Sequence, residues 1–240
     1  MKKICLLVSL LIFGWIFLPA FLSPVLAQDR GPLSKITFIH YRKNFAKPSP
    51  DRSKGSGGSC YTYISSGAKW KAPADYIVNP TGSNLDSTYV RQTIDQGVAE
   101  WEKYGGQNIF GSGYSDLTAS MGFNNDGKNV VSFGPYSDNN AIAVTTVWGY
   151  FFGAPSTREI VEWDLLFNNY YPFGDALVNG TAVMDLQDIA THELGHSAGM
   201  GDLYSGACSV QTMFGYSGYG ETIKRDLANG DIQGIKKLYR

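Results

Sequence analysis

The chain of 240 residues has the length of one domain with a short leader. Apolar residues make up 43% and charged residues 17%, enough for a packed core and unlike a disordered chain. The formal charge of −1 gives no basis for binding nucleic acid or an anionic membrane surface. At the N-terminus, Lys2 and Lys3 precede an apolar run over 4–22, and Val25 and Ala27 fit a signal-peptidase site after Ala27. Residues 1–27 are therefore expected to be a signal peptide and the mature protein secreted. The run approaches spanning length, so an uncleaved leader would leave the protein periplasmic or membrane-anchored. Cys60 and Cys208 remain after the leader. An exported pair is expected to form a disulfide, the alternative being two buried free thiols.

Residues 28–58 read as an N-terminal arm or a short pro-segment. Within them 35–41 has strand composition, and a stretch rich in Lys, Pro, Ser and Gly follows up to residue 59. A globular pattern begins at Cys60. Residues 61–64 and 76–78 read as short strands. Val90, Ile94, Val98 and Trp101 recur at helical spacing, which predicts an amphipathic helix over 86–104 stopped by Gly105 and Gly106. Asp126–Gly127 lies between two apolar stretches and predicts a hairpin turn. Residues 141–148 and 159–167 are further strands, joined by an aromatic loop at 149–153. A helix starts near Asp185, a plausible N-cap, and a last helix covers about 227–239. This order predicts an α+β, α/β-type sandwich built on one mixed sheet.

The chemistry concentrates in residues 191–202. His192 and His196 stand four apart on a helix, so both imidazoles share one face and reach one ion. Glu193 can reach water at that ion without ligating it. Gly199 falls where the helix should end, and a left-handed glycine turns the chain sharply. That turn would return Asp202 as third ligand. Three protein ligands and one open position describe a catalytic zinc rather than a structural one. The alternative is an ordinary helix carrying two surface histidines. Two of only three histidines in the chain at this spacing weigh against it.

The run His192-Glu-Leu-Gly-His196-Ser-Ala-Gly199-Met-Gly-Asp202 resembles the H-E-x-x-H-x-x-G-x-x-H/D signature of metzincin peptidases. Residues 185–200 and 227–239 resemble the matrixin branch. Asp202 stands where the third ligand is most often His, as in small secreted proteases that resemble snapalysin. The only other histidine, His40, lies far upstream in a strand segment. The resemblance implies a mostly parallel twisted sheet, an active-site helix, a C-terminal helix and a methionine turn with Met213 at its base. It spans residues 59–240 as the catalytic domain. Tyr216 lies one residue beyond the tyrosine that follows this turn in astacin-like relatives, which puts a role for it at the metal in doubt. No cysteine-switch pro-domain is present, so latency would need another device. A Cys60–Cys208 bond would fix the loop between Asp202 and Met213.

The expectation is a secreted zinc-dependent endopeptidase, with Zn2+ held by His192, His196 and Asp202 and a zinc-bound water activated by Glu193. Its partner is a protein or peptide substrate bound as an extended strand along the sheet edge, mapped by resemblance to 159–168. The aromatic loop 149–153 and Tyr170–Tyr171 either shape a pocket or fill the core. A monomer is expected, without nucleic acid, and without membrane attachment unless the leader stays. Two alternatives stay open: a zinc-stabilised, non-catalytic cell-surface binding module, and a zinc hydrolase of non-peptide acyl substrates. Structural calcium has no Asp-x-Asp-x-Asp loop to bind it, and residues 124–127 read more simply as a turn.

Overall fold

The computed structural model describes residues 30–45, 59–119 and 123–240. The expected leader 1–27 and residues 46–58 of the expected arm lie outside them. In chain order the strands are β1 (Leu33–Arg42), β2 (Thr62–Tyr63), β3 (Tyr76–Val78), β4 (Gly113–Ser115), β5 (Asn129–Gly134), β6 (Ala141–Tyr150), β7 (Glu159–Asn168), β8 (Phe173–Gly174), β9 (Met184–Asp185), β10 (Met200–Gly201) and β11 (Tyr216–Ser217). The helices are α1 (Ser87–Gly105), α2 (Ala176–Asn179), α3 (Leu186–Ser197) and α4 (Asn229–Tyr239), with short 3-10 turns between elements.

The main sheet runs β11-β1-β6-β7-β5-β3-β4. β6 is antiparallel to β1 and β7, and the remaining neighbours are parallel. The fold is therefore α+β on a mixed sheet, as the order of elements predicts, and mostly parallel, as the resemblance implies. Two smaller pairs flank it, β2 with β10 and β8 with β9. No helix among the described residues is long and apolar enough to cross a membrane.

α1 and α3 pack together against one face of the sheet. The Asp86 side chain caps α1 by accepting from the Tyr89 amide at 2.9 Å. Val90, Ile94, Val98 and Trp101 form its buried stripe, each aliphatic contributing about 1.5–3 kcal/mol of burial. The Trp101 indole N–H donates to the Thr191 carbonyl of α3 at 2.7 Å. α3 begins at Asp185, whose carboxylate accepts from the Asp188 amide at 2.9 Å. Arg225 donates to the same carboxylate at 2.8 Å and to Asp175 at 2.6 Å. The helix start is thus capped and tied to the C-terminal loop.

Two local expectations are corrected. β7 is the fourth strand of the sheet, paired on both sides by β6 and β5, so Glu159–Asn168 is not the edge. The family resemblance alone places the edge here, and the strand's Glu162 and Asp164 carboxylates are not solvated. Instead Glu162 accepts from the Asp126 and Gly127 amides at 3.0 and 2.6 Å, and Asp164 accepts from the Val130 amide at 3.1 Å. β5 has parallel partners, β3 and β7, on both sides, so among the described residues Asp126–Gly127 joins no hairpin, and residues 121–122 of the stretch expected before it lie outside them. The dipeptide forms a turn clasped by Glu162.

Cys60 and Cys208 form a disulfide across 148 residues of sequence. Cys60 lies next to β2, whose partner β10 precedes Asp202. Pairing and disulfide therefore fasten both ends of the 200–208 stretch to one strand. Replacing both cysteines by serine is expected to lower unfolding stability by about 2–5 kcal/mol. Chemical denaturation checks this, and an unchanged midpoint would remove the bond from the supports of this loop.

Candidate metal centre

α3 ends one residue before Ala198, and Gly199 adopts a left-handed φ of 103°. A side chain at Gly199 would put its Cβ 2.5 Å from the Ala68 carbonyl oxygen, so both conformation and space demand glycine. The reversal brings Asp202 back over the helix. Asp202 Oδ1 lies 3.3 Å from His192 Nε2 and 3.3 Å from His196 Nε2. All three residues are buried. The three atoms form one group close enough to hold a single ion.

The tautomers follow from the partners. His192 Nδ1 lies 2.7 Å from the Thr212 carbonyl, and His196 Nδ1 lies 3.0 Å from the Met200 carbonyl. A carbonyl only accepts, so each Nδ1 carries the hydrogen. Each Nε2 is then a lone-pair nitrogen. Neither Nε2, nor Asp202 Oδ1, has a hydrogen-bond partner among the described residues. Three electron-rich atoms facing each other without a donor repel unless a cation or a shared proton lies between them. Their 3.3 Å spacings also match the edge of a tetrahedron with bonds of about 2.0–2.1 Å, the length expected for zinc. The donor set fits the metal. Burial pushes the Asp202 carboxyl up, but attraction to His196 and His192 outweighs it and holds the group well below the carboxylate range.

Glu193 sits beside this set and outside it. Its Oε2 accepts the Thr145 hydroxyl of β6 at 2.6 Å, and its Oε1 accepts from His40 Nδ1 of β1 at 3.1 Å. Burial pushes its carboxyl up, with His192 and His196 pulling back. A carboxyl raised toward neutrality is suited to taking and returning a proton. His40 is itself fully buried, and burial followed by the neighbouring His192 holds it well below its usual range.

Met213 lies under α3. A Cβ at Gly195 would meet its sulfur at 2.2 Å, so glycine permits this approach. The turn that carries Met213 hangs from α4, where the Asp231 carboxylate accepts from the Thr212 and Met213 amides at 2.7 and 3.2 Å. The Leu203 amide donates to the Met213 carbonyl at 2.8 Å, which joins the Asp202 loop to the same turn. Tyr216 packs its ring on Tyr204 and Phe214. Of the aromatic residues expected to line a pocket or the core, Phe151 and Tyr171 are core, while Phe152 and Tyr170 are exposed.

Sequence reasoning missed four supporting groups: Thr145, Tyr204, Asp231 and His40. The Tyr204 hydroxyl donates to Asp202 Oδ2 at 2.8 Å, which turns Oδ1 toward the histidines. Only its nearness to Asp202 in sequence hinted at this. Tyr204→Phe is expected to weaken zinc affinity by about 10–100-fold while leaving the fold intact. Competition with a chelating indicator measures it, and unchanged affinity would show that Asp202 needs no such orientation.

Residues 69–240 match the sequence model of the matrixin family. No curated protein matches the chain. The family match takes in α3, the three facing donors, Glu193 and Met213, and leaves β1 outside. The chain belongs to the matrixin family of zinc-dependent metallopeptidases.

Proposed function

We propose that this protein is a secreted zinc endopeptidase, in which His192, His196 and Asp202 hold the metal and Glu193 is the general base. The observation that carries the reading is the convergence of two lone-pair nitrogens and one carboxylate oxygen, all buried and without a hydrogen-bond partner among the described residues, beside the Glu193 carboxyl, which groups instead with His40 and His192. Zinc bound there supplies a Lewis acid that polarises the scissile carbonyl and makes water a nucleophile at neutral pH.

The chain's own residues do the rest. Glu193 takes a proton from water and returns it to the leaving amine. Thr145 holds the Glu193 carboxylate at Oε2, and Oε1, which here accepts from His40, is the oxygen that would work. The Thr212 and Met200 carbonyls fix both imidazole tautomers. An extended peptide would pair with β6, the strand that carries Thr145, because backbone pairing accepts many sequences. A purely structural zinc site offers no account of a buried carboxyl held beside the donors, which disfavours the binding-module alternative.

The test compares wild type with Glu193→Gln, both loaded with zinc. Because β1 lies on β6, each is assayed intact and after cleavage at a specific protease site placed within residues 46–58. Both are expected to bind one zinc, with peptide hydrolysis lowered about 10²–10⁴-fold in the variant. A zinc-loaded wild type inert in both states across a mixed peptide library would contradict the reading.

A further inference from the structure

We infer that β1 is an intramolecular inhibitory strand, seated in the groove where substrate would lie, with His40 capping the general base. The inference rests on the peptidase reading and specifies the regulation of that site.

Position comes first. β1 pairs antiparallel with β6, from Leu33 opposite Tyr150 to Tyr41 opposite Ala141. At its far end Tyr41 and Arg42 pair in parallel with Tyr216 and Ser217 of β11. The strand thus fills a slot between β6 and the segment that follows Met213. Without β1, the outer edge of β6 would be open beside the metal centre, as a bound extended peptide requires.

The side chains come next. Alternation along the strand turns Phe38 and His40 to the same face. Phe38 stacks on His196, with ring centroids 3.9 Å apart and planes 11° apart. His40 lies on His192, with centroids also 3.9 Å apart. His40 Nδ1 donates to Glu193 Oε1 while Thr145 occupies Oε2, so each oxygen of the base already accepts a hydrogen bond. Ile39 and Tyr41 pack instead in a separate cluster on the opposite face of the sheet, with Val144 and Ala141.

The choice of His40 argues against a merely structural strand. The residue is fully buried, and its Nε2 has no partner among the described residues. Burying an unpaired ring nitrogen is unfavourable, and an apolar residue would pack the position better. Contact with Glu193 is what an imidazole offers here. The family match starts at residue 69, after β1, and the connecting residues 43–58 are rich in Lys, Pro, Ser and Gly. A strand tethered this way competes with substrate at an effective concentration on the order of millimolar.

The test uses the zinc-loaded chain as wild type, as His40→Ala, and as a form cleaved within 46–58 and separated from the β1 fragment. Hydrolysis of mixed-sequence quenched peptides is one readout. Acetohydroxamate binding, followed in the visible spectrum of the cobalt-substituted protein, is independent of hydrolysis. His40→Ala is expected to gain about tenfold or more in both, and the cleaved form on the order of a hundredfold. A synthetic peptide of residues 30–45 should then inhibit the freed enzyme, and its His40→Ala version should inhibit more weakly. Intact wild type equal to the cleaved form in both readouts overturns the inference while leaving the peptidase reading in place. A gain in acetohydroxamate binding with no hydrolysis in any form supports the inhibitory strand and overturns the peptidase reading. The cleaved form keeps every native side chain, so the test survives if His40→Ala fails to fold.

Discussion

Two imidazole nitrogens and a carboxylate oxygen, buried and facing one another at 3.3 Å, set the terms for the rest of this structure. Such a cluster is repulsive unless a cation or a shared proton lies within it. Holding it together requires rigid supports on every side, and the fold supplies them. α3 fixes the spacing of the histidines, and the Gly199 reversal returns Asp202. Carbonyls of Thr212 and Met200 orient the rings. Asp231 on α4 suspends the Met213 turn beneath. The disulfide and the β2–β10 pair restrain the connecting loop. Much of the C-terminal half of the protein serves the placement of three atoms.

What was legible in the sequence was local. The α3 start at Asp185, the histidine spacing and the glycine turn are decided by residues within about one helical turn of each other. α1 followed from its apolar period, and the long strands from their apolar runs. What was not legible depended on partners far away in sequence. Resemblance places β7 at the edge, and its Glu162 and Asp164 do not reveal a central strand by themselves. Only the neighbouring 125–130 segment, which donates to both carboxylates, explains their burial. The Asp126–Gly127 turn has hairpin chemistry, yet the strand after it pairs in parallel. Thr145, Tyr204 and Asp231 act as single residues, with no spacing pattern to announce them. His40 was visible as a strand residue, but its place over His192 depends on a pairing more than a hundred residues away.

The position of β1 links structure to control. The same edge that accepts a peptide by backbone pairing accepts the chain's own upstream segment, because β-augmentation is sequence-tolerant. Side chains then give the occupancy its meaning. Phe38 and His40 cover the two metal-facing imidazoles, and His40 engages the oxygen that Glu193 needs for proton transfer. Ion pairs stand at the two ends, the more exposed Arg30 with Glu159, which adds little to its hold, and Lys43 with the largely buried Glu221.

The most direct measurement of the central claim is a crystal structure of the zinc-loaded chain, with anomalous data collected at the zinc edge. The account predicts one strong peak bonded to His192 Nε2, His196 Nε2 and Asp202 Oδ1 at about 2.0–2.2 Å. A stoichiometric peak held by other residues, or one with Asp202 turned away from the histidines, would contradict it.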